Sequence, residues 1–239
     1  MNRSFGRDNQ TIRPVSLERN IMKNAMGSCL VKFGDTHVLC SASIEEKVAP
    51  WLKGSNSGWI TAEYAMLPAS TKTRTRREIN GQKGRSQEIQ RLIGRSLRTV
   101  ANLEYMGEIT VTIDCDVLQA DGGTRTASIT GAYVALHDAL MKWVEAGRIP
   151  RLPLHNQVVA LSVGMVDGEL IVDLDYSEDS QAEIDMNLVY TSKGEYIEIQ
   201  GTGERVSFSR DKLNTMLDIA EPGLKKLLEL QREVLMQDD

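Results

Sequence analysis

Residues 109–133 constrain the fold more than any other part of the chain, because they read as a strand, a tight glycine turn and a helix in immediate succession. Ile109, Val111, Ile113, Cys115 and Val117 alternate with Thr110, Thr112, Asp114 and Asp116, the period of two that gives a strand one apolar face. The run ends in Asp121-Gly122-Gly123-Thr124-Arg125-Thr126, after which Ala127, Gly131, Val134 and Ala135 recur at helical spacing. Two glycines let the backbone turn sharply and come close to a ligand. The first N–H groups of a helix have no intrahelical partners, and the helix dipole favours an anion at that end. Arg125 adds a planar guanidinium fork suited to phosphate oxygens, and Thr124 and Thr126 supply hydroxyls. The segment predicts a phosphate site. A Gly-Gly pair before a helix is by itself more often only a turn, so the rest of the chain has to decide.

With 239 residues, 41% hydrophobic and 26% charged, the chain can bury a sizeable core as one domain or two small ones. No apolar run approaches the roughly 20 residues that span a bilayer, and residues 1–7 lack the apolar stretch of a signal peptide. No membrane association is expected, and the predicted location is cytoplasmic. Cys29, Cys40 and Cys115 are odd in number, lack metal-ligand spacing and sit in apolar strand patterns, which predicts buried thiols in a reducing compartment. His37, His137 and His155 are scattered, and nothing selects one of them for catalysis.

The net charge of −5 averages two opposite regions. Between Thr71 and Arg98, nine lysines and arginines face only Glu78 and Glu88, a local +7 that leaves −12 on the remainder. Such segregation points to a polyanionic partner bound locally. Residues 71–84 are polar, basic and glycine-punctuated, as expected of an exposed loop, and they carry Arg74, Arg76 and Arg77. Residues 86–100 follow as a helix. Ile89, Leu92, Ile93, Leu97 and Val100 form its apolar stripe, with Arg91, Arg95 and Arg98 nearly opposite. These arginines are expected to face that polyanion, a neighbouring subunit, or both.

Elsewhere the pattern predicts a hairpin of residues 28–33 and 36–43 around Gly34-Asp35, and a short strand at 59–64. Residues 147–153, rich in glycine and proline, read as a linker. Beyond it come a hairpin at 157–165 and 169–175, then strands at 183–190 and 195–201. A helix at 210–220 is capped by Ser209, and Glu221-Pro222 is predicted to restart a second helix through 237. Gln231 interrupts the apolar face of that helix. The fold class is α+β, with two units divided at 147/148.

Six carboxylates (Asp173, Asp175, Glu178, Asp179, Glu183 and Asp185) fall within thirteen positions. Such a cluster repels itself unless a cation or a proton is shared, and Mg²⁺ or Mn²⁺ prefers oxygen ligands of this kind. A phosphate pocket, a basic surface for a long polyanion and carboxylates for a metal or a proton together describe attack of inorganic phosphate on a phosphodiester. That reaction is phosphorolysis of RNA.

Several stretches carry a resemblance to a known family: residues 58–68 (Gly-Trp-Ile-Thr-Ala-Glu-Tyr-Ala-Met-Leu-Pro), 88–95, 113–131, Glu178-Asp179 with Asp185-Met-Asn187, and 200–204 (Gln-Gly-Thr-Gly-Glu). Almost end to end, the chain resembles the ribonuclease PH family of phosphate-dependent 3′→5′ exoribonucleases. The resemblance implies a ribosomal protein S5 domain 2-like fold over residues 1–147 and a smaller α/β domain over 148–239. It implies a homohexamer built as a trimer of dimers, acting on tRNA precursors and other RNA 3′ ends with inorganic phosphate as co-substrate and Mg²⁺ or Mn²⁺ as cofactor. Carried over by position, the phosphate site falls on Arg85, Gly123, Thr124 and Arg125. Asp179 becomes general acid or metal ligand, Asp185 a metal ligand, and Arg74, Arg76 and Arg77 the tRNA contacts. Ala69 departs from the arginine usual after Met-Leu-Pro. Two other classes compete. A non-catalytic RNA-binding ring subunit would be expected to lose Arg85, Arg125, Asp179 or Asp185, and all four are present. A small-molecule kinase of the same superfamily needs a glycine- and serine-rich nucleotide loop, which the chain lacks.

Overall fold

The computed structural model describes residues 3–77 and 84–237. The first sheet forms around two antiparallel strands, β2 (Gly27–Phe33) and β3 (Thr36–Glu45), joined at Gly34-Asp35. A short strand, β1 (Val15–Arg19), edges β2; sequence reasoning assigned nothing there, although Val15 and Leu17 alternate with polar residues. β4 (Trp59–Met66) runs parallel to β5 (Thr110–Gln119), and the connection between them carries α1 (Gly84–Thr99). The strand order is β1-β2-β3-β5-β4. Cys29, Cys40 and Cys115 lie in register on three neighbouring strands, buried and unbridged, as expected.

The glycine turn leads into α2 (Thr124–Glu145), which is buried along most of its length. Its small residues explain how it fits between layers. At Gly131 a Cβ would fall 2.5 Å from Val31 Cγ1, a clash no core can absorb without moving backbone.

The second sheet has the order β7-β6-β8-β9, from β6 (Val158–Val166), β7 (Glu169–Val172), β8 (Ile184–Thr191) and β9 (Tyr196–Gly203). Every residue of β6 is buried, because α2 and the last helix, α4 (Arg210–Met236), both pack against it. The short helix α3 (Tyr176–Asp179) lies between β7 and β8.

Three expectations change. α4 is one helix of 27 residues with Pro222 inside it, not two helices restarted at that proline. One proline removes a single N–H donor, and Ala220, Gly223 and Leu224, buried on either side of it, hold the helix on course. Gln231 does not merely interrupt the apolar face. It is fully buried and donates to the carbonyls of Thr130 and Val158 while accepting from Gln157, so it joins α2, β6 and α4. The 147–153 linker is no loose tether either. Ile149 is buried, Pro153 accepts from the Asn102 backbone, and Ala101 bridges Leu154. One continuous apolar core runs through both sheets.

Candidate active site

A cleft of about 490 Å³ opens where the two sheets meet, lined on one side by Arg85 and Glu88 from the start of α1 and by Arg125 from the start of α2. Asp179, at the end of α3, lines it as well. The opposite wall is one face of the β8–β9 ladder. Asp185 pairs with Thr202 and Asn187 with Gln200, so strand alternation turns all four side chains into the cleft. A recess of about 60 Å³ adjoins it, bounded by Arg85, Gly123, Thr124 and Arg125 on one side and by Ser162, Asp179, Asp185 and Asn187 on the other. The residues that sequence reasoning placed in the phosphate site and the two carboxylates thus converge from four separate elements.

The recess depends on the glycine turn. Gly122 and Gly123 have φ of +75° and +65°, the left-handed region that side-chain-bearing residues disfavour. A Cβ at Gly122 would also meet Leu174 O at 2.6 Å. The turn therefore rests directly on the backbone entering α3, which fixes the phosphate-side residues against Asp179. The Thr124 hydroxyl pairs with that of Tyr64 (2.8 Å). Thr126 departs from expectation: its hydroxyl donates to Gly123 O (2.8 Å), tying the turn together and lining neither cavity.

The six-carboxylate cluster resolves into two populations. Asp173, Asp175 and Glu178 are buried and belong to an ion network with Arg3, Arg7 and Arg13. Arg13 pairs with Asp173 at 2.7 Å and donates to the carbonyl of Asp121 at 2.6 Å. Arg3 and Arg7 reach Glu178 at 2.7 and 3.0 Å. Asp175 caps α3 in a capping box with Glu178. Glu183 accepts from the Gly168 backbone in the β6–β7 turn. Of the six, only Asp179 and Asp185 line the cleft, the two that the resemblance gave as metal ligands. No signal within the sequence pairs Arg3, Arg7 and Arg13 with acids roughly 160 to 175 positions away.

Electrostatics separates the two remaining acids from an ordinary surface. Burial, then the neighbouring Asp179, pushes the Asp185 carboxyl up to about 6, against the pull of Arg125. Loss of solvation also raises Asp179, opposed by Arg85 and Arg125. Two carboxyls whose charged forms are both disfavoured bind a proton, or share a cation, more readily than free carboxylates do. Among the described residues no group of three or more His, Cys, Asp or Glu is arranged to hold a metal. Two carboxylates still suit Mg²⁺, which commonly takes one or two protein oxygens plus waters and substrate phosphates.

The basic residues divide less evenly than their spacing suggested. Arg74, Arg76 and Arg77 are exposed in an irregular stretch, and Lys83 lies outside the described residues. Arg91 is exposed and Arg95 pairs with Glu198. Arg98 turns back onto the first sheet. Its guanidinium sits 4.3 Å above the Trp59 ring and donates to Ile60 O at 2.7 Å, so it leaves the outward stripe. Periodicity gives the azimuth of a helical residue, but a long side chain can fold back over an apolar neighbour. Sequence reasoning missed Glu88, Asn187, Gln200, Thr202 and Arg205 as cleft residues, although 88–95 and 200–204 were among the stretches carrying the family resemblance.

Comparison with known proteins accords with this geometry. The chain is 54% identical over 237 residues to ribonuclease PH of Moorella thermoacetica, covering 98% of this chain and 95% of that protein. Among solved structures, rice (Oryza sativa) Rrp46 superposes with a TM-score of 0.79 at 22% identity, covering 98% of this chain and all of that one. A chain of the Archaeoglobus fulgidus exosome with RNA bound at its active site gives a TM-score of 0.81 at 23% identity, covering 95% and 91%. These two likenesses bear on the fold alone. Residues 11–142 match domain 1, and residues 156–223 domain 2, of the 3′ exoribonuclease family, and the chain belongs to that family.

Proposed function

We propose that the cleft removes nucleotides from the 3′ ends of tRNA precursors by phosphorolysis, releasing nucleoside diphosphates. The observation that carries this reading is the convergence of Arg85, Arg125 and the glycine turn on one small recess that two carboxyls of raised proton affinity also line. Inorganic phosphate, held by the two guanidiniums and Thr124, attacks the phosphorus of the terminal phosphodiester. A new P–O bond forms, and the bond to the 3′ oxygen of the preceding nucleotide breaks. That oxygen leaves with a proton, which Asp179 or Asp185 is placed to deliver. The 490 Å³ cleft takes the departing nucleoside. A divalent ion held by Asp179 and Asp185 would neutralise charge on the transferring phosphoryl group. A non-catalytic ring subunit has no need of these four charged residues in one cleft.

The same reading divides the chain at 147/148, supported by the interval between the family matches, and places the enzyme in the cytoplasm, supported by three buried unbridged thiols. No helix among the described residues is long and apolar enough to cross a membrane. With the same reading goes a homohexamer, a trimer of dimers, as the family resemblance implies.

Arg125→Ala tests the phosphate site. Losing a charge-assisted contact costs about 2 kcal/mol, a rise of roughly 30-fold in KM for phosphate, while RNA affinity stays nearly intact. Steady-state kinetics at varied phosphate checks this, and an unchanged KM removes Arg125 from the site.

A single-stranded 3′ tail is gripped through its phosphates more than its bases. Changing Arg74, Arg76 and Arg77 together to alanine should weaken binding of a tRNA precursor and reduce its salt dependence by up to about three phosphate contacts. The hexamer should persist by light scattering. Dissociation of the ring with RNA affinity kept would instead make this segment an assembly element.

A further inference from the structure

Gln200 does not line the recess, yet it holds one of the two arginines that do. Arg125 Nη1 donates to Gln200 Oε1 at 2.7 Å, and Gln200 Nε2 donates to Glu88 Oε1 at 2.7 Å. Glu88 also lies 3.6 Å from Arg125 Nη1. The amide orientation follows from chemistry alone. A guanidinium only donates and an ionised carboxylate only accepts, so the oxygen of Gln200 must face Arg125 and its nitrogen must face Glu88. The one amide satisfies both partners at once.

The arrangement spans three elements that meet only in the folded chain: the N-terminal parts of α1 and α2 and the centre of β9. Arg125 lines both the large cleft and the recess, whereas Gln200 and Glu88 line only the cleft. One corner of the guanidinium is thus occupied on the cleft side, and its remaining N–H groups are left for an anion on the recess side. Pre-setting a long, rotamer-rich side chain removes part of the entropy cost of ordering it when the ligand arrives.

We propose that Gln200, braced by Glu88, is the positioning residue that orients Arg125 for inorganic phosphate. The inference rests on the phosphorolytic reading above and deepens it. Its prediction is a selective loss. Gln200→Leu keeps a side chain of comparable bulk but neither donates nor accepts, so the KM for phosphate rises about tenfold. The KM for an oligoribonucleotide and kcat at saturating phosphate change little.

The experiment compares the full-length protein with Gln200→Leu, Glu88→Ala, the double variant, and Gln200→Leu in an Arg125→Ala background. Each is measured by steady-state phosphorolysis and by calorimetric titration with inorganic phosphate, after thermal melting has confirmed folding. Because Glu88 is exposed, its variant stays informative even if Gln200→Leu folds poorly. The expected pattern is weaker phosphate binding in both single variants, with the double no worse than Gln200→Leu and no further loss once Arg125 is gone. An unchanged phosphate KM, a change confined to RNA, or an additive loss in the Arg125→Ala background overturns the assignment. If the parent protein itself shows no phosphate dependence, the phosphorolytic reading falls, and that result is visible before any variant is made.

Discussion

Asp179→Asn is expected to lower turnover by roughly 10²–10⁴-fold, the span that a positioned proton donor contributes, while the protein folds and still binds phosphate and RNA. The amide keeps the shape of the carboxyl but can neither deliver a proton as an acid nor offer a charge to a divalent ion. Binding should survive because Arg85 and Arg125, not Asp179, supply the positive charge of the recess. A secondary sign is available. Asp179 is one of the causes that hold the Asp185 carboxyl near 6, so removing its charge should move Asp185 downward. Single-turnover kinetics with a labelled RNA 3′ end measures the main effect, and activity within a few-fold of the parent would exclude the proposed role.

Asp173→Asn should be the most destabilising of the conservative changes near the site, at about 3–5 kcal/mol, with the melting temperature falling by roughly 10 °C. Asp173 accepts from the Arg13 backbone N–H at 2.7 Å and from the Arg13 guanidinium at 2.7 and 3.0 Å, with Arg7 at 3.6 Å. Both arginine side chains are almost wholly shut off from water. Removing the carboxylate charge leaves Arg13 without its ion-pair partner, while Arg7 keeps Glu178 at 3.0 Å, and a buried unpaired charge costs more than the lost pair was worth. Asparagine tolerates the positive φ of 58° at this position, so the loss reports the charge and not the backbone. Thermal or denaturant unfolding measures it. A change below about 1 kcal/mol would mean that water reaches the network.

The contrast between these two acids shows what the sequence carried and what it did not. Asp173 and Asp179 sit six positions apart in one acidic run, and nothing local tells the structural acid from the cleft acid. The difference is made by Arg3, Arg7 and Arg13, brought in from the far end of the chain. The strand-turn-helix of residues 109–133 was legible because period two, a glycine pair and helical spacing are all local signals. So were the β2–β3 hairpin and the apolar stripe of α1. Arg98 was misjudged because its direction depends on the tertiary neighbour Trp59. Pro222 was misjudged because packing on both sides of α4 outweighs one missing hydrogen bond. The phosphate-side residues and Asp179 and Asp185 were named through the family resemblance, and the fold brings them to one cleft. Gln200 had no signal of its own beyond lying in a matching stretch, since its role exists only once β9 meets α1 and α2.

The central claim is that phosphate, not water, is the nucleophile. The most direct measurement follows an RNA with a labelled 3′-terminal nucleotide, incubated with the protein and a divalent ion, with and without inorganic phosphate. The account predicts release of the terminal residue as a nucleoside diphosphate, at a rate that saturates with phosphate and vanishes without it. Shortening of the RNA in phosphate-free buffer, with a nucleoside monophosphate as product, would contradict it.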